Sequence, residues 1–216
     1  MQYTALVLGS TGLIGSTLVQ LLLQDDNFKQ VYVIVRTANS FPAHPKLIEI
    51  VADFDSINKN HNNLTINKIY CCIGTTKRKT PDTKKYYEID HDYPLRVAQL
   101  FPCDTFTYIS SMGADASSSN FYLQLKGKTE QDLQAIGIPC LHILRPSLLL
   151  GKRKENRLIE DIAQRIYPCL DFLMIGKLRK YRAIAAKDVA SAMIHISTID
   201  RQGVYILESD EIKKLA

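Results

Sequence analysis

Short apolar runs alternate with longer amphipathic stretches along this chain of 216 residues. The runs are almost continuous and rich in Val, Ile, Tyr and Thr, which is typical of strands that are covered on both faces. They are YTALVL (3–8), VYVIV (31–35), LIEIV (47–51), KIYCCI (68–73), TFTYI (105–109) and CLHIL (140–144). Helical periodicity separates them over 13–24, roughly 86–101 and 122–136. This alternation predicts an α/β fold with a doubly wound parallel sheet and right-handed crossovers.

The alternation weakens in the last third of the chain. From Gly151 to about Lys187 the sequence is irregular and holds two basic runs, KRK (152–154) and KLRKYR (177–182). In an open α/β sheet, a late irregular segment beyond the strand ends commonly covers the ligand crevice. We therefore expect a single domain over 1–216, within which 151–187 is a small substrate-covering segment.

Composition and charge narrow the class of protein. The chain is 46% hydrophobic and 23% charged, as soluble globular proteins are, and no apolar run reaches the roughly eighteen residues of a membrane span. Its start, MQYTALVLG, has neither a basic segment nor a cleavage site, so we expect a cytoplasmic protein.

The five cysteines contain no C-x-x-C pair and are interpreted as free thiols. The net charge is +5, but the sequence contains no nucleic-acid-binding motif. The five histidines are scattered along the chain, so we predict no metal site.

Three glycines lie between the first strand and the first helix, in the stretch ALVLGSTGLIGSTLVQLLL. Their spacing is Gly9-x-x-Gly12-x-x-Gly15, one residue wider at the start than the G-x-G-x-x-G of dinucleotide-binding folds. Glycines here permit a tight turn, let the backbone approach a diphosphate and bring the helix close to the strand. The helix N-terminus then offers free N–H groups to the phosphates, and the hydroxyls of Ser10 and Thr11 are further donors. The context predicts a Rossmann-type dinucleotide site.

The end of the second strand bears on the choice of cofactor. An acidic residue there suits the ribose 2′-hydroxyl of NAD, whereas an arginine suits the 2′-phosphate of NADP. Arg36 closes this strand, and no acid occurs between Val31 and Ser40. We therefore expect NADP(H). Asp53, after the third strand, is placed either to meet the adenine edge or to cap a turn.

A tyrosine and a lysine follow the fifth strand with helical spacing. In Tyr122-Leu-Gln-Leu-Lys126 the two side chains share one helix face. A nearby ammonium favours a tyrosinate, so such a tyrosine can exchange a proton with a carbonyl or alcohol oxygen. A serine at the end of the preceding strand, Ser110 or Ser111, can hydrogen-bond the same oxygen.

The order of these motifs resembles the short-chain dehydrogenase/reductase superfamily, in particular its atypical or extended branch with G-x-x-G-x-x-G spacing. The segments LGSTGLIG, CCIGTTK, SSMGAD, SSSNFYLQLKGKTE and LRPSLLLGKR are most similar to the Tat-interacting-protein-like group of NADP-binding proteins. The resemblance covers essentially the whole chain.

This resemblance implies a role for each matching position. It places the diphosphate at Gly9, Thr11, Gly12, Leu13 and Ile14, the 2′-phosphate at Arg36, the adenine at Asp53 and Phe54, and the cofactor ribose at Cys72, Ile73 and Gly74. It also implies that Tyr122 and Lys126 are the catalytic pair and that Lys126 touches the nicotinamide ribose. Ser111 would orient the substrate, with Ser110 as the competing choice. The segment Arg145-Pro146-Ser147 would pass the nicotinamide. Two features depart from the family pattern. Asp90 lies near the place of an asparagine that completes a proton relay in many members, and the chain is short for an extended member.

Two functions remain open at this level. The first is an NADP(H)-dependent oxidoreductase that reduces a carbonyl or oxidises an alcohol on a small substrate, through Ser111, Tyr122 and Lys126. The second is an NADPH-binding regulatory or scaffold protein with little or no turnover. Superfamily members often dimerise through the helices that correspond to 86–101 and 122–136, so a homodimer is an expectation by analogy.

Overall fold

The computed structural model describes residues 2–53, 56–57, 64–150, 182–199 and 201–216. Within these ranges, seven strands form one parallel sheet. They are β1 (Tyr3–Leu8), β2 (Phe28–Val35), β3 (Leu47–Val51), β4 (Lys68–Cys71), β5 (Thr105–Ile109), β6 (Cys140–Arg145) and β9 (Gly203–Glu208). A separate pair of short parallel strands consists of β7 (Leu149–Leu150) and β8 (Ile184–Ala185). The order in the large sheet is β3-β2-β1-β4-β5-β6-β9.

Helices cover both faces of this sheet. They are α1 (Leu13–Gln24), α2 (Thr83–Tyr87), α3 (Tyr93–Leu100), α4 (Phe121–Ala135), α5 (Ala186–Thr198) and α6 (Ser209–Lys214), and a π-helical turn, Glu88–Asp92, joins α2 to α3. None of the helices in the described ranges is long and apolar enough to cross a membrane.

Two hydrophobic cores lie on opposite faces of the sheet. On one face α1, α5 and α6 pack against alternate strand residues, for example Leu18 and Met193 with Val33. On the other face α3 and α4 pack against the remaining ones, for example Leu133 with Phe106. Since a strand presents successive side chains to opposite faces, a sheet covered on both needs apolar residues at nearly every position. The continuous apolar runs in the sequence have this origin.

The predicted fold class is confirmed. The three runs that the sequence places at 3–8, 47–51 and 105–109 coincide with β1, β3 and β5. The expected helix at 86–101 is instead divided by the π-helical turn, and α5 and β9 are elements beyond the sequence prediction. Of the expected substrate-covering segment 151–187, the residues to Tyr181 lie outside the described ranges, and the remainder contains β8 and the start of α5.

The sheet topology determines where a ligand can bind. From β1 the chain proceeds to β2 and β3 on one side, whereas β4, β5 and β6 lie on the other side. A crevice forms at the carboxyl ends of the two strands where the direction reverses, here β1 and β4. The glycine-rich turn after Leu8 and the loop after Cys71 both lie at this point.

Candidate active site

The glycine-rich turn brings three backbone segments into close contact. Gly9 has a φ of +69°, a left-handed conformation that side chains other than glycine rarely adopt. A Cβ atom on Gly9 would lie 2.6 Å from the carbonyl oxygen of Cys72, and one on Gly15 would collide with the carbonyl of Gly9. These glycines therefore allow the start of α1 to pack directly against the ends of β1 and β4.

The start of α1 has the properties of an anion site. Gly12 is its N-cap and no side chain caps it, so the N–H groups of its first turn, beginning with Leu13 and Ile14, are available to a phosphate. The hydroxyl of Ser10 is buried and has no hydrogen-bond partner among the described residues. Thr11 is exposed on the same turn. A dinucleotide diphosphate would satisfy this set of donors, whereas Ile14 can contribute only its N–H because its side chain is in the core.

The ends of β2 and β3 lie side by side at the same edge. Val35 pairs with Val51, and the N–H of Ala52 donates to the carbonyl of Val35 at 3.0 Å. Arg36 is consequently exposed next to the segment that begins at Asp53. The Asp53 carboxylate accepts the N–H of Ser56 at 2.9 Å and so caps a turn, the second of the two roles considered for it. Phe54 lies outside the described residues.

The segment after β4 contributes its backbone to the crevice. Cys72 donates its N–H to the carbonyl of Leu8 at 2.9 Å, while its Sγ lies 3.9 Å from Sδ of Met193 in the core. Burial raises the pKa of this thiol, which favours its protonated form. Ile73 and Gly74 continue along the crevice, and a Cβ on Gly74 would lie 3.4 Å from Oδ1 of Asp90.

Tyr122 and Lys126 lie one turn apart near the start of α4. The helix begins after Asn120, whose side chain accepts the N–H of Tyr122 at 3.0 Å. Tyr122 is 37% exposed, and its hydroxyl has no hydrogen-bond partner within the described ranges. Lys126 is only 3% exposed. Burial alone would lower the pKa of its ammonium, but the neighbouring Tyr108 and Asp90 raise it, so Lys126 is charged.

Asp90 reaches Lys126 because of an interruption in the helix that carries it. Its Oδ1 lies 3.3 Å from Nζ of Lys126, and its side chain is 1% exposed. Pro94 has no N–H to donate to the carbonyl of Asp90, four residues earlier, and the chain forms a π-helical turn there. That carbonyl instead accepts the Thr129 hydroxyl at 3.2 Å. Burial raises the pKa of Asp90, and Lys126 opposes this effect. In the sequence, the feature that indicates this interruption is Pro94, four positions after Asp90.

The structure separates the two candidate serines. Ser110 is buried, and its hydroxyl donates to Glu130. Ser111 is partly exposed, and the only hydrogen bond of its hydroxyl within the described ranges is a long one to the carbonyl of Met112, at 3.4 Å. The hydroxyl of Ser111 is therefore the more accessible of the two.

Arg145, at the end of β6, is held by two acidic residues, Glu130 within α4 and Glu208 at the end of β9. Its guanidinium lies 3.0 Å (Nε) and 2.5 Å (Nη2) from the carboxylate of Glu130, and its Nη1 lies 3.5 Å from Glu208. The side chain is thus committed to structure, and the buried Pro146 accepts the N–H of Met112 at 3.2 Å through its carbonyl. Sequence reasoning missed Glu130. The available signal was a carboxylate one turn after Lys126 on a helix face that packs against the sheet.

No group of three or more His, Cys, Asp or Glu side chains in the described ranges could hold a metal ion. The candidate site consists of the glycine turn, the carboxyl ends of the strands β2 to β6 and the first two turns of α4.

The chain is similar in sequence to several proteins of yeasts and to a protein of the rat. The chain is 34% identical over 160 residues to "Protein FMP52, mitochondrial" of Saccharomyces cerevisiae, covering 70% of this chain and 68% of that protein. It is 32% identical over 170 residues to "Protein HTATIP2" of Rattus norvegicus, covering 76% and 70% respectively. The resemblance to the Tat-interacting-protein-like group is confirmed.

The expected cytoplasmic location is wrong. Relatives from three yeasts, at 28–34% identity, are named as mitochondrial proteins. The expectation rested on a missing export signal, and that criterion does not distinguish among the reducing compartments of a cell.

Solved structures and a family model agree on the fold. The Bordetella bronchiseptica enzyme WbmG, crystallised in complex with NAD, superposes with a TM-score of 0.71 at 15% identity, over 99% of this chain and 76% of that one. The model of the NAD dependent epimerase/dehydratase family matches residues 5–206, nearly the entire chain. This protein belongs to the NAD-dependent epimerase/dehydratase family, within the extended branch of the short-chain dehydrogenase/reductase superfamily.

Proposed function

We propose that the protein is an NADP(H)-dependent oxidoreductase that reduces a carbonyl or oxidises an alcohol on a small substrate. The observation that carries the proposal is the pair on α4. Tyr122 is exposed and its hydroxyl has no hydrogen-bond partner among the residues that the structure describes, and the charged Lys126 is buried one turn further along the same helix. A phenol beside a fixed ammonium can give up and regain a proton at working pH.

The crevice at β1 and β4 fits a dinucleotide. The first turn of α1 and the hydroxyl of Ser10 would bind the diphosphate, and Gly9 keeps the approach free of side chains. The backbone of Cys72 to Gly74 would follow the ribose, and Arg36 would bind a 2′-phosphate. When bound, the nicotinamide supplies or accepts the hydride.

The residues of the catalytic set have separate tasks. Ser111 donates a hydrogen bond to the substrate oxygen and fixes its position. Tyr122 gives its proton to that oxygen during reduction and takes it back during oxidation. Lys126 supplies a fixed positive charge one helical turn from Tyr122. Arg145 acts through Glu130 and Ser110 on the strand ends, without touching the substrate by its side chain.

We retain residues 151–187 as the substrate-covering segment of a single domain. In support, the chain leaves at β7 and returns at β8, which pair with each other. The N–H of Ile184 donates to the carbonyl of Leu148 at 3.0 Å, and Ser147 hydrogen-bonds the carbonyl of Arg182. The residues that flank 151–181 are therefore joined to each other just beyond the carboxyl end of β6.

We also propose that the protein works in mitochondria, as the names of its yeast relatives suggest. Fractionation of cells that express the tagged protein tests this location.

The reaction is tested by following NADPH consumption with acetone, cyclohexanone and benzaldehyde, and NADP⁺ reduction with the corresponding alcohols. Turnover that depends on the protein supports the proposal. Tight NADPH binding without turnover of any compound would instead favour the regulatory alternative.

Replacing Arg36 by alanine should weaken NADPH binding by roughly 10- to 100-fold, because a charge-assisted hydrogen bond is worth about 1.5–3 kcal/mol. NADH binding should stay the same, since NADH lacks the 2′-phosphate. Fluorescence titration with both cofactors measures the effect. Lys29→Ala removes an exposed cation at the opposite end of the same strand and should change neither affinity. Equal weakening for NADH and NADPH would contradict the role of Arg36.

A further inference from the structure

The ammonium of Lys126 is held by two hydrogen bonds and one ion pair. Its Nζ donates to the hydroxyl of Tyr108 at 3.0 Å and to the carbonyl of Ile109 at 3.2 Å. It also lies 3.3 Å from Oδ1 of Asp90, with which it forms an ion pair without a hydrogen bond. Lys126 therefore has a fixed position, and its charge lies one helical turn from Tyr122.

Asp90 is held as firmly as the lysine. Its second carboxylate oxygen accepts the N–H of Thr75 at 2.8 Å, and its backbone carbonyl accepts the hydroxyl of Thr129. Gly74 lies directly beside it, where a Cβ would approach Oδ1 to 3.4 Å. The carboxylate cannot turn away from Lys126 without losing a buried hydrogen bond.

The charges around this pair are few. The titratable groups that face Lys126 from the elements packed against it are Cys71 on β4, Tyr86 on α2, Asp90 on the π-helical turn, Tyr108 on β5 and Tyr122 on α4 itself. Burial raises the pKa of Cys71 and Tyr86 to about 12 and raises that of Tyr108 further, so these three are neutral at physiological pH. Asp90 is left as the single carboxylate of the set.

We infer that Asp90 is the counter-ion of Lys126 and a positioning residue that sets the pH range in which Tyr122 exchanges its proton. The inference rests on the proposed function. An unbalanced ammonium beside Tyr122 would favour the phenolate strongly. A carboxylate 3.3 Å from that ammonium cancels part of its field, and the phenolate then forms only at higher pH.

The chemistry defines which direction of reaction reports the effect. In alcohol oxidation the substrate carbon gives a hydride, with two electrons, to NADP⁺, which becomes NADPH. The hydroxyl proton passes to the phenolate of Tyr122 and from there to solvent, and a carbonyl compound remains. Because the phenolate is the reactive form, the oxidation rate rises with pH through the ionisation of Tyr122.

Removing the charge of Asp90 should therefore move this ionisation to lower pH by about one unit, the size of a single-charge effect at short range in a protein. Asp90→Asn is the first variant. Its amide has one acceptor oxygen for two donors, Thr75 and Lys126, so Asp90→Ser, which removes the same charge with a smaller side chain, is the second. Circular dichroism identifies which of the two is folded.

The decisive measurement needs no cofactor or substrate. The absorbance of tyrosinate is followed against pH for the protein and for its Tyr122→Phe variant, and their difference isolates Tyr122 among the 11 tyrosines. The same difference is then taken between Asp90→Asn and the double variant Asp90→Asn/Tyr122→Phe. We expect the ionisation midpoint of Tyr122 in the Asp90→Asn background to lie about one pH unit below its midpoint in the wild-type background. Coinciding midpoints would overturn the inference.

Two controls separate charge from contact. Asp92→Asn makes the same charge change two residues away, where the carboxylate pairs with His91 and not with Lys126, and should leave the midpoint unchanged. Tyr108→Phe removes a contact of Lys126 without changing the charge and should also leave it unchanged. A shift in either control as large as that of Asp90→Asn would overturn the role of Asp90 as counter-ion.

A second readout is the pH profile of kcat/KM for the alcohol that the wild type oxidises fastest in the panel above. Its rising limb should move with the absorbance midpoint. If the wild type oxidises none of the alcohols, the proposed function fails, while the absorbance titration still decides the inference about Asp90.

Discussion

Replacing Tyr122 by phenylalanine should lower kcat for carbonyl reduction by about a thousandfold, within the usual range for loss of a general acid. The substitution removes one oxygen atom, which has no hydrogen-bond partner within the described ranges, and leaves the ring. Folding and NADPH affinity should therefore be unchanged, because no contact of the glycine turn or of Lys126 is lost. Steady-state kinetics with NADPH and a fluorescence titration of the same preparation measure both properties.

The matched control is Tyr32→Phe. Tyr32 lies on β2, where it packs at the margin of the core on the α3 and α4 face, away from α4 itself. The substitution removes the phenolic oxygen of Tyr32, and the variant should keep full activity. A Tyr122→Phe variant that retained more than about a tenth of the wild-type kcat would exclude Tyr122 as the proton donor.

The sheet could be predicted from the sequence because burial on both faces leaves a direct mark on it. The runs that became β1 and β5 are buried at nearly every position and have apolar or β-branched residues throughout. The strands β3 and β9 lie at the two edges of the sheet. Ile48 and Val51 in β3 and Val204 and Ile206 in β9 are more than two-fifths exposed, so an apolar pattern does not by itself indicate a strand covered on both faces.

The candidate site was predictable only in part, for a different reason. The motifs around Gly9 and Tyr122 are local, since each depends on residues within about two turns of one another. The partners of those residues are distant in sequence. Asp90 contacts a lysine 36 positions away, and this contact depends on the π-helical turn before Pro94, which packs against α4. The roles of the individual site residues stay predictions until the experiments above are done.

Replacing Glu130 by alanine should lower the free energy of unfolding by about 3 kcal/mol, the lower end of the range for breaking a buried ion pair. Its carboxylate binds Arg145 through two atoms and accepts the hydroxyl of Ser110, and Arg145 in turn lies 3.5 Å from Glu208. Without Glu130, Ser110 loses its acceptor and Arg145 keeps only the longer pair. The Arg145 side chain is 21% exposed, so water offsets part of the loss. Urea denaturation monitored by circular dichroism measures the change.

The neighbouring positions supply the controls for this loss. Gln131→Ala truncates an exposed residue on the same helix and should change stability by less than about 0.5 kcal/mol. Glu130→Gln keeps an acceptor oxygen for Ser110 but removes the charge that binds Arg145. Its free energy of unfolding should therefore lie between those of Glu130→Ala and Gln131→Ala. Because Ser111 directly follows Ser110, a loosened strand end should also lower kcat in Glu130→Ala. If Glu130→Ala were as stable as Gln131→Ala, the ion pair would make no net contribution, and the backbone hydrogen bonds of the sheet and side-chain packing would hold the ends of β5, β6 and β9 without it.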